Sequence, residues 1–180
     1  YVGEKIGYVL GDASNAYGKV ISKGWLARAK KEEVSFSPEA GWDDVKLKTF
    51  RRHIVELGKT GFTFIYDELE AEEPVTWSYL LHTVTNPMNV NMVNEFVHVQ
   101  ATSKNGISDA YLLGSDELKT DTTSQFFTPA TNWLRADDKG NFKKYPNHWH
   151  FTATSGKHKV YRFVTIINTH INKTTPDKPF

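Results

Sequence analysis

Apolar and polar positions along the chain follow the short alternating pattern of β-strands. Segments rich in Val, Ile, Thr, Phe, Tyr and Trp are separated by clusters of Gly, Pro, Asn and Asp, as in strands joined by turns. The predicted strands are Lys5–Leu10, Lys46–Leu57, Phe62–Leu69, Val75–Val84, Glu95–Ala101, Ala110–Leu113, His148–Thr154 and Lys159–Asn168. Only "SKGWLARAKKEE" has helical composition, and the Gly, Ser and Pro residues around it limit it to a loop or a short helix.

Several predicted strands are apolar on both faces. In "FTFIY", "WSYLLH" and "YRFVTII" both sets of alternating positions are apolar, so each strand should be covered on two sides. Many short strands with almost no helix predict an all-β fold, an antiparallel β-sandwich, over residues 1–170. Residues 171–180 are predicted to be a tail or linker, and the polar segment between Leu113 and His148 a long irregular loop.

Composition narrows the possible partners. A chain of 180 residues can bury one sizeable core, and its formal net charge of +1 argues against a nucleic-acid partner. It contains no cysteine, which excludes disulfides and thiolate metal sites. No apolar run approaches the ~18 residues that a membrane span requires, so we expect no membrane partner.

The acidic stretch "YDELEAEEPV" joins two apolar segments and ends at Pro74. Paired carboxylates cleave sugars in many enzymes, but they need a fixed separation in a cleft and one raised pKa. We therefore predict a solvated hairpin turn here, because five acids crowd a segment that ends at a proline. Asp67 continues the strand and is predicted to accept backbone hydrogen bonds.

The seven histidines give weak signals for a metal site. "HWH" places His148 and His150 on one side of a strand, the spacing of several strand-borne zinc sites, but Trp149 and Phe151 favour a packed structural strand. His53 lies beside two arginines in "TFRRHIVEL". The chain contains no Gly-x-Ser-x-Gly elbow and no phosphate-binding glycine loop.

Tryptophans offer candidate ligand contacts. Most tryptophans of a sandwich lie in the core, so only those in polar, loop-like surroundings are candidates to stack on sugar rings. These are Trp25, Trp42 and Trp133. The residues by themselves leave the function open.

Three stretches together carry a resemblance. "GDASNAYG" at 11–18, "RRHIVELGKTGFTFIYDELEAEEPVTWSYLLHT" at 51–83 and "NHWHFTAT" at 147–154 resemble, in that order, the C-terminal β-sandwich region of the heparinase II/III-like polysaccharide lyases. The middle stretch is the most specific, with Thr83 where the family usually has Ser. The resemblance covers about residues 11–168.

The resemblance implies a module of a larger enzyme. Such lyases place an α/α toroid before the sandwich and cleave uronate-containing acidic polysaccharides, heparin or heparan sulfate among them, by β-elimination. Their catalytic residues come from the toroid and from a His-x-His segment before "GDAS", so we expect no catalytic residue in this chain and an inactive segment. A bacterial periplasmic or secreted location is implied as well.

The resemblance also implies one zinc ligand in this chain. Relatives bind a structural zinc ion through a His and an Asp before "GDAS" and a His in the strand that matches "RRHIVEL", which is His53. The other two ligands are expected before Tyr1. Two alternatives remain: a non-catalytic carbohydrate-binding or interaction module that uses Trp42 and Trp133, and a metallo-enzyme built on His53, His148 and His150.

Overall fold

The computed structural model describes residues 1–16, 23–33, 46–84, 86–125, 134–136, 138–144 and 148–171. The strands of this part of the chain are β1 (Gly7–Asp12), β2 (Leu47–Glu56), β3 (Phe62–Thr83), β4 (Asn89–Val93), β5 (Phe96–Thr102), β6 (Gly106–Gly114), β7 (Lys119–Thr123), β8 (Leu134–Ala136), β9 (Phe142–Lys144) and β10 (Trp149–Ile171). Helix α1 spans Lys23–Lys31, and a 3₁₀ turn spans Gly58–Thr60. The all-β prediction is confirmed. Within the described ranges, no helix has the length and apolar character of a membrane span.

Eight strands form one antiparallel sheet. Its order is β1-β2-β3-β10-β6-β5-β4, and β7 also pairs with β10. Strands β8 and β9 form a separate two-stranded sheet inside the segment predicted to be irregular. Apart from Ile171, which ends β10, the predicted tail lies outside the described residues.

Strands β3 and β10 are much longer than predicted. The predicted strands Phe62–Leu69 and Val75–Val84 are one strand of 22 residues, and His148–Thr154 and Lys159–Asn168 belong to one strand of 23 residues. The two pair along almost their whole length. They form a ribbon that runs through the entire fold.

A corner divides this ribbon into two halves. The wide half contains residues 62–71 of β3 and 160–171 of β10, together with β1, β2, β4, β5 and β6. The narrow half contains residues 75–83 of β3 and 149–158 of β10, together with β7.

The two halves pack face to face. Tyr79 pairs with Ala153 in the narrow half, and Phe163 pairs with Asp67 in the wide half. Since Asp67 and Tyr79 are twelve positions apart on β3, a flat ribbon would separate the two pairs by about 40 Å at ~3.3 Å per residue. The ring centroids of Tyr79 and Phe163 are only 5.6 Å apart. The ribbon therefore folds over, and one continuous sheet makes both layers of the sandwich.

The core lies between the two layers. Odd-numbered side chains of β3 and β10 point inward in both halves, as the period of two along a strand requires. The largest fully buried side chains are Tyr161, Phe151, Phe163, Leu112 and Thr165. Burial of each large apolar side chain contributes about 1.5–3 kcal/mol, which makes this layer the main source of stability.

The acid-rich stretch forms the corner and not a hairpin turn, so that prediction was wrong. Between the pairs Glu70–Val160 and Val75–His158, strand β3 has four residues and β10 only one. The extra residues lengthen β3 on the outside of the bend, where Glu72, Glu73 and Pro74 are exposed. Local composition resembles a turn because the corner is solvated, although the chain continues as a strand.

Polar contacts link the turn after β6 to this corner. The Asp116 carboxylate, after β6, accepts a 2.6 Å hydrogen bond from the buried Tyr161 hydroxyl and lies 2.6 Å from His158 Nε2. Burial is the first cause that raises the pKa of Tyr161 to about 12, and its bond to Asp116 adds to it. The indole N–H of Trp77 donates to the His158 carbonyl at 3.0 Å. These bonds hold the fold-back in place.

Candidate functional site

The outer face of the wide half carries the residue that the sequence singled out. Antiparallel pairing places Leu10 of β1 opposite His53 of β2, and His53 opposite Tyr66 of β3. These side chains are on the face away from the core, because their strand neighbours Arg52 and Asp67 point inward. His53 therefore lies on an accessible sheet surface.

Both ring nitrogens of His53 are engaged. The Tyr8 hydroxyl lies 2.8 Å from Nδ1, and the Glu68 Oε2 atom lies 3.0 Å from Nε2. The hydrogen bond from His53 is the first cause of a lowered pKa at Glu68, so this carboxyl is ionised and can only accept. Nε2 therefore donates to Glu68, and the Tyr8 hydroxyl contacts Nδ1. The two contacts fix the orientation of the imidazole.

Two arginines flank this group. Arg51 donates from Nε to Asp12 at 2.9 Å, and bonds from Ser14 and Arg51 hold the pKa of Asp12 well below its usual range. Arg162 donates to the Tyr66 hydroxyl at 3.1 Å and to the Leu69 carbonyl at 3.0 Å. The His53 cluster, as we name it, contains the side chains Tyr8, Arg51, His53, Glu68 and Arg162.

A row of exposed aromatic rings borders the His53 cluster. Phe62, Phe64 and Tyr66 alternate along β3 on the outer face and are 36–39 % exposed. Each ring keeps more than a third of its surface accessible, so the row forms an apolar strip on this face. Guanidinium, imidazole and aromatic groups thus share one side of the sheet.

The acids of "YDELEAEEPV" have structural partners. Asp67 is 3 % exposed and accepts hydrogen bonds from Arg52 Nε at 2.7 Å and Nη2 at 2.8 Å. The prediction that backbone groups serve Asp67 was wrong, since a guanidinium of the neighbouring strand binds it. Glu70 lies 3.4 Å from Lys48 Nζ. The expectation that this stretch holds no carboxylate pair for sugar cleavage stays a prediction.

Only one of the three candidate ligand-contact tryptophans lies among the described residues. Trp42 and Trp133 lie outside the described residues, and Trp25 lies on α1. Trp77 is buried, as expected for a core tryptophan of a sandwich. The predicted sugar contacts at Trp42 and Trp133 therefore stay predictions.

His53 alone does not supply a zinc site. A metal-bound histidine commonly donates its second N–H to a carboxylate, and Glu68 is placed for that role. Zinc would then have to replace Tyr8 at Nδ1, and it would need further ligands. The described ranges contain no group of three or more His, Cys, Asp or Glu side chains that could hold a metal ion.

His53, His148 and His150 are not brought together. His150 pairs with His82 on β3, whereas His53 pairs with Tyr66, sixteen positions away on the same strand. The two histidines lie on the outer faces of opposite layers. A three-histidine catalytic metal site built on these residues does not fit the fold.

Sequence reasoning missed the partners of His53. Glu68 was grouped with the solvated acids, and Tyr8 and Arg162 were not considered. Alternation along "FTFIYDEL" already places Tyr66 and Glu68 on one face, but their contact with Tyr8 requires the register of three strands. In comparisons with known proteins, the sequence matches no protein-family model and no curated protein.

Proposed function

We propose that the chain is the β-sandwich part of a polysaccharide lyase that cleaves uronate-containing acidic polysaccharides, heparin and heparan sulfate among them, by β-elimination. In this proposal the sandwich supplies a scaffold and one wall of the substrate cleft, while the catalytic groups come from an α/α toroid of the same polypeptide. The proposal includes a periplasmic or secreted location. The observation that carries it is the His53 cluster on an accessible face.

The chemistry of this cluster suits a polyanionic sugar. β-Elimination at a uronate requires neutralisation of the carboxylate beside the carbon that loses its proton, and fixed cations or hydrogen-bond donors do this. Arg51 and Arg162 place guanidinium groups beside an oriented imidazole. Arginine binds carboxylate and sulfate-like oxyanions through its planar donor fork, so the two guanidinium groups suit an acidic chain that competes with Asp12 and Glu68 for them.

A structural zinc ion at His53 is part of the same proposal. Glu68 orients the ring and leaves Nδ1 as the nitrogen that faces a metal, with Tyr8 displaced. Any zinc there needs ligands besides the described residues. The ion would hold strands together and fix the position of the wall.

Formation of the unsaturated uronate product tests the proposal. Its ultraviolet absorbance is followed with heparin as substrate, for this chain and for a longer chain that includes the preceding toroid region. We expect no product from this chain and rapid formation by the longer one. Full activity from this chain alone would refute the proposal that the catalytic groups come from the toroid.

A second candidate function is a non-catalytic carbohydrate-binding module. The exposed row Phe62, Phe64 and Tyr66 favours it, because rings that alternate along a strand repeat about every 6.7 Å and can stack on successive sugars. Calorimetric titration with a neutral and an acidic oligosaccharide separates the two candidates. Binding of both sugars with equal affinity, lost in Phe64→Ala, supports the module.

The predicted tryptophan contacts have their own test within that titration. Trp42→Ala and Trp133→Ala should each weaken sugar binding if those rings contact the ligand. Trp77→Phe is a poor control because that ring lies in the core. Leu80→Ala is better, since this apolar side chain is 55 % exposed on the narrow half.

A further inference from the structure

The narrow half ends, on the side of β3, in an open strand edge. Residues 75–83 of β3 pair with β10, whereas β2 pairs with β3 only at residues 63–71. In the described part of the chain, no strand therefore pairs with the other side of residues 75–83. The N–H of Trp77 points toward β10, where it donates to the Ser155 hydroxyl at 3.0 Å. Because backbone groups alternate along a strand, the N–H groups of Thr76 and Ser78 point to the open side.

A groove lies beside this edge, between the two layers. One cavity, of about 220 Å³, is lined by Leu47 and Phe50 of β2 and by Val75 and Ser78 of β3. A second cavity, of about 490 Å³, adjoins it, because Phe50 and Ser78 line both, and it extends to Leu80. We name the two cavities together the edge groove. The open edge of β3 forms one side of this groove, and the core-facing side of β2 forms the other.

The core-facing surface beyond the groove is left accessible by the described layers. The wide half contains seven strands in a row, whereas the narrow half contains only β3, β10 and β7 within the described ranges. Val9 of β1 pairs with Ile54 of β2, and its side chain points to the core side, opposite in direction to that of Leu10. Val9 is nevertheless 57 % exposed. A strand added to the open edge of β3 would lie over β2 and extend the cover toward this surface.

We propose that the edge groove binds an extended, uncharged peptide segment of a partner protein, which adds a strand to β3. An open edge presents N–H and C=O groups at strand spacing, and an extended backbone is the ligand that matches such a row. Residues 75–83 include no Asp, Glu, Lys or Arg, and Leu47, Phe50 and Val75 make the wall of the smaller cavity apolar. Alternate side chains of the bound peptide should therefore be apolar.

Two comparisons favour this edge and this kind of partner. Strand β7, on the opposite side of the narrow half, carries Lys119 and Asp121, and charges on an edge strand oppose strand addition. The open edge of β3 lacks such protection.

A second copy of the chain fits the edge poorly. Antiparallel pairing of β3 with its copy follows a two-fold axis perpendicular to the joined sheet, which places both wide halves on the same side of that sheet. Each wide half extends beyond the edge by β2 and β1, so the two would collide. A single extended segment can enter the groove without this collision.

Binding of a strand-forming peptide to the 180-residue chain tests the proposal. The probe is an amidated peptide of alternating threonine and valine with a fluorescent dye at its amino end, and its anisotropy is followed as the chain is added. We expect saturable binding of one peptide per chain. The same peptide N-methylated at every residue keeps its side chains but lacks backbone N–H donors, so it should not bind.

Ser78→Lys is the variant that tests the position, because Ser78 is exposed, lies on the open edge and lines both cavities. A lysine on a strand edge opposes pairing, so we expect the affinity for the peptide to fall by at least about tenfold. Thr120→Lys is the matched control, because Thr120 is an exposed residue of β7 at the other edge of the narrow half. It should leave the affinity unchanged.

Amide hydrogen exchange, followed by nuclear magnetic resonance, locates the bound peptide in the unaltered chain. The peptide should slow exchange at Thr76 and Ser78 and leave the amides of β7 unaffected. Circular dichroism checks that both lysine variants are folded. The proposal is overturned by the absence of saturable binding, by equal affinity of the two lysine variants, or by protection at β7 instead of β3. Dimerisation of the chain alone that Ser78→Lys abolishes would also overturn it, because a second copy would then occupy the edge.

Discussion

Arg52 binds Asp67 within the wide half and also contacts Tyr79 of the narrow half, so loss of its guanidinium should destabilise the fold strongly. Arg52 donates two hydrogen bonds, at 2.7 and 2.8 Å, to a carboxylate whose side chain is 4 % exposed. The guanidinium carbon also lies 5.1 Å from the ring centroid of Tyr79 in the opposite layer. Arg52→Met removes both contacts while it keeps most of the apolar stem.

The expected loss of unfolding free energy follows from the burial of the Asp67 carboxylate. Removing one partner of a buried ion pair costs about 3–5 kcal/mol, since the remaining charge is left without compensation. The Arg52 side chain is 46 % exposed, so water relieves part of that penalty. We expect the free energy of unfolding to fall by about 2–4 kcal/mol, a large share of the ~5–15 kcal/mol typical of a domain. With a urea m-value of about 2 kcal/mol/M, the unfolding midpoint drops by about 1–2 M.

Urea denaturation followed by tryptophan fluorescence measures this change. Arg51→Met is the matched control, because Arg51 is the adjacent residue and its pair with Asp12 is exposed on the outer face. Its midpoint should change little. Combined with Asp67→Asn, Arg52→Met should cost clearly less than the sum of the single changes. Equal midpoint shifts for Arg51→Met and Arg52→Met, or strict additivity, would refute the reasoning.

Three further predictions concern the corner and His150. Gly114→Ala should lower the free energy of unfolding by about 1–3 kcal/mol in the urea assay, because its Cβ would lie 2.3 Å from the buried Tyr161 hydroxyl. Hydrogen bonds from Tyr161 and then His158 lower the pKa of Asp116 from 3.8, so the folded state gains stability above that pH and loses it as pH falls through the folded pKa. Urea midpoints measured across this acid range should show a weaker pH dependence for Asp116→Asn than for the unaltered chain. The lowered pKa of His150 makes the unfolded state bind its proton more readily, so stability should fall as pH drops from 6.5 toward the folded pKa, and His150→Gln should flatten this slope in the same assay.

The sequence predicted where strands occur better than it predicted that two of them form one continuous strand. Alternation correctly places strands at both ends of "FTFIYDELEAEEPVTWSYLLHT", but the acids and Pro74 in its middle have the composition of a turn. Whether such a segment turns back or bends is decided by long-range packing, here by contacts such as Tyr79 with Phe163. No local pattern contains that information, and a folded-over ribbon is therefore hard to predict.

The candidate site was predictable only in part. His53 was selected because its strand resembles one in a lyase family, and the structure places it on an accessible face. Its partners Tyr8 and Glu68 come from β1 and β3, so their contacts depend on the register of three strands. The pair His82–His150 was missed for the same reason, although "HWH" drew attention to one of its members.

The rate of unsaturated uronate formation in a His53→Ala variant tests the central claim most directly. The variant is made in the longer chain that the proposal expects to be active, and His170→Ala in the same chain is the control. The account predicts that His53→Ala lowers the rate by at least about tenfold, as loss of an orienting or metal-binding histidine does, while His170→Ala retains it. Equal rates for the two variants would contradict a functional role for the His53 cluster.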